Sequence, residues 1–237
     1  MFAYVTKSRY WDVLDKGIMS GVPTNPKWHL KDIQDAVAYS YLYDKVGFDI
    51  AEVGAGHSRL LQPLAHTNRC YAIDEYKGVG GGPQSRPTLD KVEFIDCIIG
   101  NSKGIIEDAS FDIIYSVSVV ERVPSNLLPA FFADCRRILK PDGLMVHLID
   151  VYVENENGNN AALWSRMQDY MKPFNEGIFA PLGSIDFRSH SDIGFNPAIA
   201  TNPDNVMRDW NILSPTLIEK RKVAQSCTLE MAAKRIT

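Results

Sequence analysis

The chain has no pair of cysteines at C-x-x-C spacing. Its four cysteines, Cys70, Cys97, Cys135 and Cys227, lie far apart. That pattern offers neither a zinc site nor a disulfide framework, so reduced thiols in a cytoplasmic protein are the expectation. Long uncharged apolar runs are also missing, and mean hydropathy is −0.16, which argues against a transmembrane helix and a membrane partner. No apolar stretch follows Lys7 and Arg9, so the first residues do not read as a secretory signal. There is no basic excess: 25 Lys+Arg stand against 29 Asp+Glu, a formal charge of −4. A nucleic-acid surface usually needs such an excess, and the balance points away from one. Internal repeats and low-complexity tracts are absent as well.

What is present is an ordinary globular mixture, 45% hydrophobic and 23% charged over 237 residues. That length buries a core without staples. Three zones differ in texture. Residues 1–47 look helical and aromatic. Asn25-Pro26 reads as a helix start, and Ile33, Val37, Tyr41 and Leu42 follow at roughly helical spacing. Residues 48–153 alternate short apolar runs, at 48–53, 70–73, 92–95, 111–117 and 144–149, with helical stretches at 58–65 and 126–139. Lys140-Pro141-Asp142-Gly143 reads as a turn before the last of these strands. Such alternation implies a mostly parallel, doubly wound α/β sheet covered on both faces. Residues 154–237, punctuated by Pro173, Pro181, Pro197, Pro203 and Pro215, read as a lid, with helix at 161–171 and 216–225. Thr228 to Ile236 fits a last strand or a helix equally. One domain with a helical N-terminal extension, a core and a C-terminal lid is the expected organisation.

The sharpest motif is Glu52-Val53-Gly54-Ala55-Gly56-His57-Ser58-Arg59, which leaves a strand and opens a helix. Two glycines let bare backbone approach a ligand, and a helix N-terminus behind them offers unpaired N–H groups. About twenty residues on, the next strand ends in Asp74-Glu75, where a carboxylate suits the two hydroxyls of a ribose.

With these features the sequence resembles the class I S-adenosylmethionine-dependent methyltransferases, in particular their small-molecule, type 11-like group. Residues 48–153 carry the likeness. It rests on the acidic-x-Gly-x-Gly loop, Asp74, the run Phe111-Asp112-Ile113-Ile114-Tyr115-Ser116-Val117 with the following Glu121, and Arg137-Ile138-Leu139-Lys140-Pro141-Asp142-Gly143. The resemblance implies S-adenosylmethionine as methyl donor and S-adenosylhomocysteine as product. Gly54, Ala55 and Gly56 would pass beneath the methionine half, with Glu52 near its amino group. Asp74, helped by Glu75, would hold the ribose. Cys97 and Ile98 would border the adenine, and Ser116 and Val117 would line the sulfonium side. Ser58 stands where a third glycine is usual, and Arg122 where histidine often follows the glutamate. The stretch 77–87, rich in glycine and proline, replaces a helix between the second and third strands.

Methyl transfer needs alignment and exclusion of water more than a fixed catalytic constellation. Asp150 and Tyr152, after the fifth strand, face the expected crevice, and Asp150 is a candidate base or acceptor anchor. His147 is the second candidate base, against its reading as a core histidine. His57 and His190 are weaker candidates, and Glu121 reads as a turn cap. The N-terminal zone also holds Tyr10, Trp11, Trp28 and His29. The resemblance implies an extension folded over the cofactor, with Tyr10 or Trp28 shielding the sulfonium, against the favoured reading as ordinary helix packing. Trp164 and Trp210 either shape an acceptor pocket or fill the lid's core. The expected reaction is methylation of oxygen or nitrogen on a small molecule, a sugar or secondary metabolite. The rivals are a non-catalytic binding subunit of this fold and an NAD-linked oxidoreductase. Arg59 in place of the last glycine of G-x-G-x-x-G and the acidic Glu52 weigh against NAD.

Overall fold

A computed structural model describes residues 1–20, 22, 30–78, 82–154, 161–186, 193–194, 196, 198–200 and 224–236. Its centre is a single sheet. Strands β2 (Asp49–Val53), β3 (Arg69–Ile73), β4 (Val92–Ile95), β5 (Phe111–Val117) and β6 (Leu139–Glu154) are all parallel. They lie in the order β6-β5-β2-β3-β4. Strand β8 (Ala224–Arg235) pairs antiparallel with β6. The short β1 (Phe2–Tyr4) and β7 (Phe179–Pro181) both pair antiparallel with the far side of β8. The two ends of the chain therefore meet in the sheet.

The side-chain alternation of each strand sorts the core into two halves. On one face, Ile50, Ile113, Tyr115, Val146 and Leu148 pack under α1 (Lys7–Asp15), α2 (Leu30–Tyr39) and α3 (Leu61–Leu64). On the other, Ala51, Val53, Ile114, Met145 and Ile149 pack under α4 (Leu128–Ile138) and α5 (Ala161–Asn175). Thr6 opens α1 by accepting the Arg9 amide at 3.1 Å, a side-chain cap. Helix α2 is amphipathic: Ile33 and Val37 are fully buried, and Lys31 stays part-exposed.

Two expectations need correction, and one open alternative is decided. The fifth core strand is far longer than 144–149. It begins at Leu139, and Lys140 to Gly143 form a bulge in its pairing with β5 instead of a stop. The helix after the glycine loop covers only Leu61–Leu64, because Ser58 and Arg59 are engaged elsewhere. The segment from Thr228 is strand, where alternate residues Cys227, Leu229 and Met231 face the α4 side. The stretch at 77–87 contains no helix or strand among its described residues. The start at Asn25-Pro26 and most of the helix expected at 216–225 lie outside the described residues.

Candidate active site

In a parallel sheet, ligands bind beyond the carboxyl ends of the strands where the strand order reverses. Here that point lies between β2 and β5. Leaving β2, the chain turns through Gly54 (φ +63°) and Gly56 (φ +51°). A Cβ on Gly54 would stand 2.5 Å from Cγ2 of Val119, so only glycine fits this turn. The amides of Gly54 and Ala55 donate to the Ile73 carbonyl at 2.8 and 3.2 Å. The Gly56 amide donates to Asp74 Oδ2 at 3.1 Å, and the Tyr76 amide to Oδ1 at 3.1 Å. Asp74 is thus fixed at the end of β3 with one amide on each oxygen. A carboxylate has about four acceptor positions, so each oxygen keeps one for a ligand hydroxyl. Glu75, beside it, is half-buried.

Glu52 sits beneath this loop, 6% exposed. Its Oε2 accepts the Tyr115 hydroxyl at 2.7 Å and the Ser58 hydroxyl. Burial dominates those bonds and pushes the carboxyl up to about 7. Ser58 also accepts the Leu61 amide at 3.1 Å, starting α3. Arg59 leaves the loop to form a two-pronged ion pair with buried Asp35 of α2, one arm at 2.8 Å. This places α2 across the loop.

The same helix reaches the ends of β5 and β6. Asp150 Oδ1 accepts Ser118 Oγ at 2.6 Å and Gln34 Nε2 at 2.5 Å. Lys31 Nζ lies 3.7 Å from Asp150 Oδ2 and donates to Ser118. Glu121, in the 3-10 turn Val120–Arg122, does not cap that turn. Both its carboxylate oxygens are buried with no hydrogen-bond partner among the described residues, and Arg122 Nε lies 3.7 Å from Oε1. Burial, then the nearby charge of Asp150, raise its carboxyl to about 7. Asp150 and Glu121 therefore form an acidic pair at the crevice, with Lys31 against them. Asp150 and Tyr152 lie within β6 and not after it.

Other sequence candidates take different places. Val117 is half-buried at the end of β5, next to Ser118. Ser116 points the other way, under α4, where its Oγ lies 2.7 Å from His147 Nδ1. The His147 ring is wholly buried, 5.5 Å from Phe131 and 6.3 Å from Phe132 between centroids. Burial without a charged partner drives it down to about 3, so it stays neutral. These are the surroundings of a core histidine, and His147 is corrected from base to core on that ground, its Nε2 having no hydrogen-bond partner among the described residues; Ser116 is likewise placed in the core. Cys97 is buried beside Ile73 and Ile99, and Ile98 is 48% exposed. Tyr10 is core, Trp11 is exposed, His57 is exposed and Trp164 packs on the α4–α5 face. Trp28, His29, His190 and Trp210 lie outside the described residues.

Four groups escaped the sequence reading: Lys31, Gln34, Ser118 and Asp96. Asp96, at the end of β4, holds Arg86 through bonds of 3.0 and 2.5 Å. Arg86 also stacks over Phe94, 5.6 Å from the ring centre. That pairing anchors the stretch at 82–87, whose Pro83 carbonyl accepts the Gly78 amide at 3.0 Å. Pro83 lies against Gly56. An Asp directly after an apolar strand, in register with Asp74 one strand over, was the available signal. Among the described residues no cluster of His, Cys, Asp and Glu suits a metal ion, and no helix is long and apolar enough to cross a membrane.

Residues 51–147 match the family model described as a methyltransferase domain. No curated protein matches the chain. Among solved structures, one from Galdieria sulphuraria, provisionally named a sarcosine dimethylglycine methyltransferase, shares 15% identity, with TM-score 0.52 over 86% of this chain and 88% of that one. Geranyl diphosphate C-methyltransferase from Streptomyces coelicolor A3(2), solved with Mg2+, geranyl diphosphate and S-adenosyl-L-homocysteine, shares 12% identity, with TM-score 0.52 over 99% and 91%. The 1,6-didemethyltoxoflavin-N1-methyltransferase of Burkholderia thailandensis, with its substrate and S-adenosylhomocysteine bound, shares 14%, with TM-score 0.50 over 100% and 95%. At such identities the likeness is one of fold. Together with the family match over residues 51–147, it gives the chain a Rossmann-like methyltransferase fold with a methyltransferase domain at its centre.

Proposed function

We propose that the chain transfers the methyl group of S-adenosylmethionine to an oxygen or nitrogen of a small molecule, a sugar or secondary metabolite. The observation that carries this reading is the Asp74 carboxylate, tied to the glycine loop by the Gly56 amide and still open for ribose hydroxyls. The loop also fits: the Gly54 cradle admits no Cβ, and Glu52 beneath it answers a cationic amino group better than a pyrophosphate. S-adenosylmethionine supplies a methyl group already activated on a sulfonium.

In this reading Gly54, Ala55 and Gly56 support the methionine half, Asp74 and Glu75 hold the ribose, Cys97 and Ile98 border the purine, and Val117 lies toward the sulfur. Asp150 and Glu121 face the acceptor. Glu121, raised to about 7, is poised to take a proton from an acceptor hydroxyl or ammonium. Lys31 and Gln34 position Asp150, and α2 above them excludes water. The solved relatives methylate carbon in one case and nitrogen in another, so the fold does not choose the atom. The acidic pair favours an acceptor that must lose a proton.

Titration calorimetry tests this directly. S-adenosylhomocysteine should bind and NAD should not. Asp74→Ala should weaken S-adenosylhomocysteine severalfold or more, because the ribose hydroxyls lose their acceptor. NAD binding alone would sink the reading, and an unchanged affinity in the variant would remove Asp74 from the site. Labelled cofactor presented with fractionated metabolite pools then identifies the acceptor.

A further inference from the structure

Tyr76 lies two residues beyond Asp74 and belongs to neither half of the core. It is 6% exposed. Its backbone has φ +54°, a left-handed conformation that side-chain-bearing residues rarely take. The bond from its amide to Asp74 Oδ1 holds it there. The ring packs edge-on against Phe94, with centroids 5.8 Å apart. Its hydroxyl is buried and has no hydrogen-bond partner among the described residues. The charges that act on it are those of Asp74, Glu52 and Asp96, with Arg86 opposing. These groups stand at the ends of β2, β3 and β4, around the crevice itself.

An orphaned buried hydroxyl is costly, and natural structures rarely keep one without use. A strained backbone that also costs free energy points the same way. Packing against Phe94 alone would be served as well by phenylalanine. We propose that the Tyr76 hydroxyl is a cofactor-binding group, donating a hydrogen bond to the nucleoside half of S-adenosylmethionine beside Asp74. The inference rests on the cofactor reading above and assigns a contact that reading does not contain. Asp74 accepts from the ribose, and Tyr76 supplies the complementary donor. The two groups are locked together through the Tyr76 amide, so one turn of backbone presents both.

The test compares the native chain with Tyr76→Phe by calorimetry, using S-adenosylhomocysteine and adenosine as ligands, with ligand-free melting recorded for each. Tyr76→Phe should bind both ligands about tenfold more weakly, since a ligand acceptor is left buried and unpaired. Its ligand-free melting temperature should equal or exceed the native value, because an unsatisfied hydroxyl has been removed. Affinities within twofold of native would overturn the inference. So would weaker S-adenosylhomocysteine binding with adenosine unchanged, or a variant that melts well below the native chain, which would assign the hydroxyl to the fold. A native chain that fails to bind S-adenosylhomocysteine overturns the cofactor reading and this inference together. Native binding with an unaffected variant overturns the inference alone.

Discussion

Replacing Glu52 by glutamine should stabilise the protein above neutral pH and do little below pH 4.5. The carboxyl is buried, with two hydroxyl donors on one oxygen and no cation bonded to it. Its pKa stands at about 7, against 4.5 for the exposed group. A raised carboxyl favours the protonated fold. Below pH 4.5 both folded and unfolded chains carry the proton, and the site costs nothing. As pH rises from 4.5 to 7, the unfolded chain gives up its proton first and the native chain loses stability. Above 7 the loss levels off, at no more than about 3 kcal/mol. Glutamine keeps an oxygen for Tyr115 and Ser58 and never ionises. Urea unfolding of both chains at pH 4.5, 6 and 8.5 gives the difference in stability, from which groups common to both cancel. The glutamine chain should gain on the native one steadily across that range, by about 2–3 kcal/mol in total. A difference that stays flat with pH would show that Glu52 ionises freely and that its burial under the loop is wrongly assigned.

Gly54→Ala should cost at least about 2 kcal/mol in urea unfolding, from left-handed strain plus contact with Val119 at 2.5 Å; Gly54→Ala with Val119→Ala should recover part of that loss, and no recovery would remove Val119 as the cause. His147→Leu should leave S-adenosylhomocysteine affinity near native, since the ring lies under α4. A histidine lowered to about 3 contributes stability that is present above pH 6.5 and lost as pH falls toward 3. Between pH 7 and 4.5 the native chain should therefore lose about 2–3 kcal/mol more than His147→Leu, and equal acid losses would contradict the buried placement.

The sequence was most legible where burial is two-sided. The run at 111–117 is β5 to the residue, because an interior parallel strand is apolar on both faces and announces itself locally. The glycine loop was legible for a different reason: backbone geometry there admits few residues. Legibility failed where a partner distant in sequence decides. Nothing local marks the continuation of β6 to Glu154, which depends on its pairing with β8. The polar cluster is a stronger case. Gln34 and Asp150 are 116 residues apart, and no periodicity relates them. Glu121 looked like a turn cap because glutamate often serves as one, but its carboxyl is buried within reach of the Asp150 charge. His147 was ambiguous because an alternating strand tells which residues share a face without saying which face meets the ligand.

That second question is answered by α2. Lys31, Gln34 and Asp35 lie three and four residues apart, within one turn and on one side of the helix. Asp35 grips Arg59 of the glycine loop, while Gln34 and Lys31 grip Asp150 and Ser118 at the ends of β6 and β5. Ile33 and Val37, on the other side, are buried in the core. One turn of helix therefore bridges the gap where the strand order reverses, and it does so with charged groups that are themselves held. In-line methyl transfer needs donor and acceptor fixed to a fraction of an ångström, with water kept out. A core of five parallel strands positions a donor but leaves the crevice above it open. In this protein α2 lies across that gap and ties Arg59 on one side to Asp150 and Ser118 on the other. Arg59 of the glycine loop and Asp150 of β6 are thus held by one turn of the same helix, although they lie far apart along the chain.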